Sequence, residues 1–421
     1  MRYTDLPDEK RIVITGMGAV TPCGEGVGPL VKAVRTGTSA LTTVTLDDGR
    51  RTSGGRQTVG GGRVDPRWLE PYAQEDRTTA LMLAAAGQVL EPVPETRRRG
   101  LALFVATGKP DMGLIERVHR DLLERGPATV PPDFIGRVMP DAPAAAIAER
   151  FGCGGVRQSF IGACSTGLDC VAMAARFLQA GRARAALAGS GEASLTPLVV
   201  AAFERMGVLA HGERPPAKAI RPFARERAGF LIGEGAAMLL LETLSSANTR
   251  GADVVAEVTG WAVVADAHHQ TRLAPDGHGI ARAIRTALDM AGLAPDEIAH
   301  INAHGTATKL NDPIETRGIR AAFGAHAPRI RICSTKPITG HLLSASGSVE
   351  LVITLGAMRS GFAPPTINLE APDPACDLDY TPKNAVPCPI RHALVLNYGF
   401  GGHVAALIVS NRTEPEHGVH Q

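Results

Sequence analysis

"FIGACSTGLDC", residues 160–170, sets one cysteine among small residues just ahead of an alanine-rich apolar run. Past it, Leu168, Val171, Ala172, Ala175 and Leu178 recur at helical spacing, and Gly181 supplies a stop. Cys164 therefore falls at or near the first turn of a thin, close-packing helix. Two readings stay open. Cysteine is a small core hydrophobe. At a helix start, however, unpaired backbone N–H groups and the helix dipole favour the thiolate, which is the nucleophile. Gly162 and Gly167 leave room beside the sulfur for a reacting group. Cys170, deeper in the helix, reads as core.

Outward from this stretch, short apolar runs begin at Arg11, Leu101, Ala183, Gly235, Ala252, Ile298, His392 and Val404, often closed by glycine. Helical patterns such as "RTTALMLAAAGQVL" and "GIARAIRTALDMAGL" stand between them. Near-continuous apolar strands alternating with helices indicate an α/β protein whose sheets are covered on both faces. The letters alone show no internal repeat. Residues 44–64, rich in Gly and Arg, read as an exposed loop, and residues 413–421 as a polar tail.

Bulk properties narrow the function. With 44 basic against 42 acidic residues in 421, the net charge is +2, which gives no footprint for nucleic acid. No apolar run is long enough to span a bilayer, and charges occupy the N-terminal positions where a signal peptide needs its apolar core. A cytoplasmic location is expected. Seven scattered cysteines with no C-x-x-C pair argue against a disulfide framework or structural zinc. "DAHHQT" holds His268 and His269, but no carboxylate or cysteine stands at ligand spacing, so these read as solvated loop histidines with no metal.

Two further histidines sit on strand-to-helix turns bracketed by glycine and hydroxyl residues. They are His304 in "INAHGTATKLNDPIE" and His341 in "STKPITGHLLSASGSVE". Either alone fits a hydrogen-bonded structural role. Together with "ACSTG", "NAHGTAT", "STKPITGHLLSASG" and "GFGG" in that order, they carry a resemblance. The chain resembles a β-ketoacyl synthase of the thiolase superfamily, most similar to 3-oxoacyl-acyl-carrier-protein synthase II and type II polyketide ketosynthases. "RPFARERAGFLIGEGAAMLLLE" and "PPTINLEAPDPACDLDY" extend it, so that it runs from about Arg11 to Ser410.

The resemblance implies a five-layered αβαβα thiolase-like fold of two similar halves, residues 11–255 and 256–412, with the nucleophile in the first and both histidines in the second. It implies a decarboxylative Claisen condensation on carrier-protein thioesters. Cys164 would hold the acyl chain as a thioester. His304 and His341, both neutral, would donate to the enolate left when malonyl loses carbon dioxide. The backbone N–H groups of Cys164 and Phe400 would form the oxyanion hole, with Phe400 as a gate hinged at Gly399 and Gly401. Lys336 and Glu350 match a buried ion pair that keeps the imidazoles uncharged. Thr271, Thr306 and Thr308 fit positions along the phosphopantetheine arm. Asp312 and Glu315 read as capping the helix after His304 and ordering its loop. The implied partners are acyl carrier protein and a second subunit, either a homodimer mate or a ketosynthase-like chain-length factor. No tightly bound cofactor is implied.

Departures concentrate in the gate loop. Where relatives often read "NSFGFGGTN", this chain reads "LNYGFGGHV", so that Leu396, Asn397, Tyr398, His403 and Val404 differ. "ATGKPDMG" from Ala106 is unusual for a pocket wall. These changes leave the trio intact and put substrate and chain length in question, tilting toward a specialised polyketide or polyene system over fatty-acid elongation. A degradative thiolase would carry a second cysteine in place of His341. A non-catalytic chain-length subunit would lack Cys164. An acyltransferase without condensing activity is a third alternative, against which both histidines count.

Overall fold

The apolar runs become the strands of one large sheet in the computed structural model, which describes residues 2–46 and 57–412. They are β1 (Ile12–Thr21), β2 (Ala102–Ala106), β3 (Arg157–Gln158), β4 (Ala185–Glu192) and β5 (Gly235–Thr243), then β6 (Ala256–Ala265), β7 (His300–Asn302), β8 (Arg331–Cys333), β9 (His392–Gly399) and β10 (His403–Ser410). Every residue of β2 and β5 is buried, which is why these strands read as unbroken apolar runs instead of alternating ones. Their order is β8-β7-β9-β10-β6-β1-β5-β4-β2-β3, with Gly24–Glu25 pairing beside β1.

The order is a duplication. Within either set of five, the strands lie third, second, fourth, fifth, first. The first three neighbours are parallel and the last two pairings antiparallel in both sets. The sets meet where β1 and β6 pair antiparallel, Ile12 opposite Val258 and Ile14 opposite Ala256.

Four of the described helices build the main layers on this sheet. α1 (Arg77–Leu90), capped by the Asp76 carboxylate on Thr79 N–H, covers β1 and β5. α3 (His278–Ala291) covers β6 and β10. α2 (Thr166–Gln179) and α4 (Ser346–Ser360) lie between the two sets of strands and touch both. Residues Ser346 to Met358 of α4 are buried all round, as a central-layer helix requires. Helix, sheet, paired helices, sheet, helix is the αβαβα arrangement expected.

One expectation fails. Residues 44–64 are not simply an exposed loop. Thr42–Thr45 and Thr58–Gly61 form an antiparallel ribbon, and Val44, Gly61, Gly62 and Val64 are buried. Glycine there permits close packing: a Cβ on Gly62 would stand 2.6 Å from the Thr339 carbonyl oxygen. The middle of that stretch and the polar tail at 413–421 lie outside the described residues. Among the described residues no helix is long and apolar enough to cross a membrane.

Candidate active site

The central helices enter through matching turns. Ala163–Ser165 forms a 3-10 turn ahead of α2, and Leu343–Ala345 forms another ahead of α4. Each opens on a non-glycine residue forced into the left-handed region, Ala163 at φ 52° and Leu343 at φ 50°. That conformation costs about 1–2 kcal/mol per residue and holds only where packing dictates it. The residue after each is presented at the helix mouth: Cys164 in one turn, Ser344 in the other. Gly167 and Gly347 let the two helix starts dovetail. A Cβ on Gly347 would lie 2.8 Å from Leu168 N, and one on Gly167 would strike Ser348 N.

His304 follows β7. Its turn is held by the buried Glu315 carboxylate, which accepts from His304 N–H at 2.7 Å and Gly305 N–H at 2.8 Å. Glu315 thus orders the loop as expected. It does not cap its helix, and neither does Asp312, which accepts instead from Phe223 N–H at 2.7 Å. His341 N–H donates to the Leu231 carbonyl at 2.8 Å, and its Nδ1 lies 3.0 Å from Ser346 Oγ. The His304 and His341 rings meet edge to face with centroids 5.4 Å apart.

Cys164, His304 and His341 line one cavity of about 490 Å³, open to the surface. Thr271, Thr306, Thr308, Gly399 and Phe400 line it too. Phe400 is 38% exposed, with its ring centroid 6.4 Å from that of Phe203. Gly401 turns at φ 91° just beyond it. Gly399 has no room for a side chain, since a Cβ would run into the Gly162 carbonyl oxygen. Lys336 and Glu350 are buried behind the rings and pair at 2.6 Å. His268 and His269 stand on an exposed segment, where His269 Nδ1 accepts from Thr271 N–H at 3.1 Å.

Burial sets the electrostatics. Both histidines are held well below the usual imidazole range, first by desolvation and then by the Lys336 charge. Both rings are neutral at ordinary pH. The thiol goes the other way from the expectation of a helix-start thiolate. Desolvation pushes Cys164 up to about 12, against the pull of Lys109 and Lys336.

Two polar groupings escaped the sequence reading. Lys109, within the odd "ATGKPDMG", pairs at 2.7 Å with buried Glu192, which also accepts from Ser194 and from Ser344. Asn397 Nδ2 lies 2.7 Å from Glu350 Oε2 and 3.3 Å from His304 Nδ1. The departure of "LNYGFGGHV" from the usual gate-loop letters was the available signal.

Residues 9–247 match the beta-ketoacyl synthase N-terminal domain and residues 255–370 the beta-ketoacyl synthase C-terminal domain. The chain is 36% identical over 410 residues to a 3-oxoacyl-[acyl-carrier-protein] synthase 2 of Synechocystis sp., covering 95% of this chain and 98% of that one. It is 35% identical to the Coxiella burnetii protein of the same name, covering 96% and 99%. Among solved structures it resembles AntDE:AntF, a type II polyketide acyl-carrier protein in complex with its ketosynthase bound to the hexaketide. The TM-score is 0.86 at 31% identity, covering 96% of this chain and all of that one. The ishigamide ketosynthase/chain length factor matches with TM-score 0.86 at 30% identity and the same coverage. With the thiol and the two neutral imidazoles in one cavity and the two domain families together matching most of its length, the chain belongs to the β-ketoacyl synthase family.

Proposed function

We propose that the chain condenses an acyl group held on Cys164 with malonyl-carrier protein, extending a polyketide, polyene or fatty-acid chain by two carbons. The observation that carries this reading is the convergence of Cys164, His304 and His341 on one open cavity. In the first step the Cys164 sulfur attacks the thioester of an acyl-carrier. The carrier's pantetheine thiol leaves with the proton, and the acyl group stays on the enzyme. The emptied carrier is then replaced by malonyl-carrier. Loss of carbon dioxide leaves the electron pair of the broken C–C bond in an enolate, whose oxygen accepts from His304 Nε2–H and His341 Nε2–H. Its carbon attacks the Cys164 thioester. The transient oxyanion is met by the backbone N–H groups of Cys164 and Phe400, and collapse releases the thiolate and the β-ketoacyl-carrier.

Neutral rings suit this task. An imidazolium would protonate the enolate before it reached the thioester, whereas a neutral N–H donates without surrendering its proton. Thr271, Thr306 and Thr308 line the route to the sulfur and are assigned to the pantetheine arm, and Phe400 to the gate. The carbon and proton balance closes with no redox step, so no tightly bound cofactor enters the scheme. A cytoplasmic site of action is part of the same reading. So is a carrier-protein partner, and so is a second ketosynthase-like subunit, identical or not. Support for the subunit comes from the open edge of β3, flanked by Val156 and Ile161 at 45% and 46% exposure. The gate-loop departures favour a polyketide or polyene pathway.

The test separates the steps. Cys164→Ala is expected to abolish acyl-enzyme formation and condensation while retaining decarboxylation of malonyl-carrier. His304→Ala and His341→Ala are each expected to lower decarboxylation on the order of 100-fold or more. Chain extension by Cys164→Ala, or full decarboxylation by either histidine variant, overturns the scheme.

A further inference from the structure

An uncharged imidazole carries its proton on either nitrogen, and only one choice is useful here. The enolate reading needs Nε2–H on both rings, hence a bare Nδ1. His341 meets a hydroxyl at Nδ1, Ser346 Oγ at 3.0 Å, which can rotate to donate or to accept. His304 meets something different. Its Nδ1 lies 3.3 Å from Asn397 Nδ2, a group that only donates.

The orientation of that amide is settled by its neighbours. Nδ2 lies 2.7 Å from Glu350 Oε2 and 2.7 Å from the Leu396 carbonyl oxygen, both obligate acceptors when Glu350 is ionised in its pair with Lys336. Turning the amide over would set its oxygen against both. Oδ1 instead faces Gly347 at the start of α4, where it has no hydrogen-bond partner among the described residues. One orphaned acceptor is the lesser penalty. The glycine is what makes room, since a Cβ at 347 would stand 2.5 Å from that oxygen.

We infer that Asn397 is a positioning residue for the condensation: its amide nitrogen, whose two hydrogens are shared among Glu350 Oε2, the Leu396 carbonyl and His304 Nδ1, can accept from none of them, and so leaves His304 with Nδ1 bare and the proton on Nε2, directed to the cavity. A protonated Nδ1 would place N–H against N–H, so that both the wrong tautomer and the imidazolium are disfavoured at once. The buried line Lys336–Glu350–Asn397–His304 thereby connects the ion pair to the choice of tautomer. The usefulness of that tautomer rests on the proposed condensation, but its existence does not, so the two can fail separately.

The experiment is nitrogen NMR of the full-length protein labelled with ¹⁵N-histidine, with His304 assigned by subtracting the spectrum of His304→Gln. The wild type is expected to show His304 with a bare Nδ1 and a protonated Nε2. Asn397→Ala, which removes the group that faces Nδ1, is expected to bring the proton to Nδ1 in a readable share of the molecules. The same variant should lower kcat for malonyl-carrier decarboxylation several-fold, with KM little changed. Asn397→Ser, whose hydroxyl can still donate, should recover much of that loss. A protonated His304 Nδ1 in the wild type overturns the inference without need of any variant. So does a tautomer left unchanged in a folded Asn397→Ala protein. The predicted tautomer in a wild type that never condenses would count against the reaction instead and leave the assignment standing.

Discussion

Lys336 keeps its ammonium where almost no water reaches, 1% exposed, with Glu350 as its counterion and two imidazoles in its field. A buried pair of this kind contributes little as a pair, but removing one partner strands the other. Lys336→Met is therefore expected to cost about 3–5 kcal/mol of stability, read by denaturant unfolding, with Lys336→Met/Glu350→Leu regaining much of it. The sign of its effect on pH dependence follows from charge. A nearby cation opposes imidazolium, so deleting it raises both histidine values toward the ordinary range. The acid limb of malonyl-carrier decarboxylation should then move to higher pH, whereas the wild type stays active well below the usual imidazole pKa. An unmoved limb would show that desolvation alone keeps the rings neutral. At this scale the sequence was most informative about Cys164, His304 and His341, each set in a run of small and hydroxyl residues, whereas Lys336 and Glu350 were legible only through the family resemblance. The helix-start geometry of Cys164 was legible in letters, whereas the desolvation that pushes its thiol up was not. Asn397 was visible only as a departure, because its meaning lies in partners 47 and 93 positions away.

The two central helices bring the nucleophile and a histidine together, and they do so through glycine. Gly167 and Gly347 occupy matching places, one residue past the first helical position of α2 and α4, and each lies against the backbone of the other helix. Gly167→Ala or Gly347→Ala must push the helix starts apart, because backbone does not yield as a side-chain tip does. Each is expected to destabilise by about 1–3 kcal/mol and, in protein that still folds, to slow condensation more than alkylation of Cys164. Unchanged stability would mean that the dovetailing is not tight. The long strands β1, β5, β6, β9 and β10 could be read from their apolar runs, and α1 and α3 from their periodicity. β3 could not: "RQ" is a two-residue edge strand with no apolar signal. β8, "RIC", is buried at Ile332 and Cys333 but escaped because three residues are too few to show a pattern. The ribbon at Thr42–Thr45 and Thr58–Gly61 was hidden by glycines that suggest a loop but serve close packing.

At the scale of the whole molecule, the same five-strand order occurs twice, and the chemistry is divided between the copies. The turn before α2 presents a cysteine. The matching turn before α4 presents Ser344, whose hydroxyl is tied to Glu192 and thence to Lys109, while His341 and Ser346 to either side serve the cavity. The letters conceal this duplication, since "ACSTG" and "LSASG" share little. Strand pairing keeps it, because order and direction depend on which faces are apolar and not on identities. The shared cavity lies where the copies meet, so neither half alone holds the site. The claim that needs the most direct test is that these parts extend a chain and do not merely move one. Wild-type protein loaded with an acyl group at Cys164 is mixed with malonyl-carrier, and the intact masses of both are followed. The account predicts that the enzyme loses the acyl mass while the carrier gains the acyl group joined to its two remaining carbons, with carbon dioxide released. An enzyme that keeps its acyl group while the carrier becomes acetyl-carrier would contradict it.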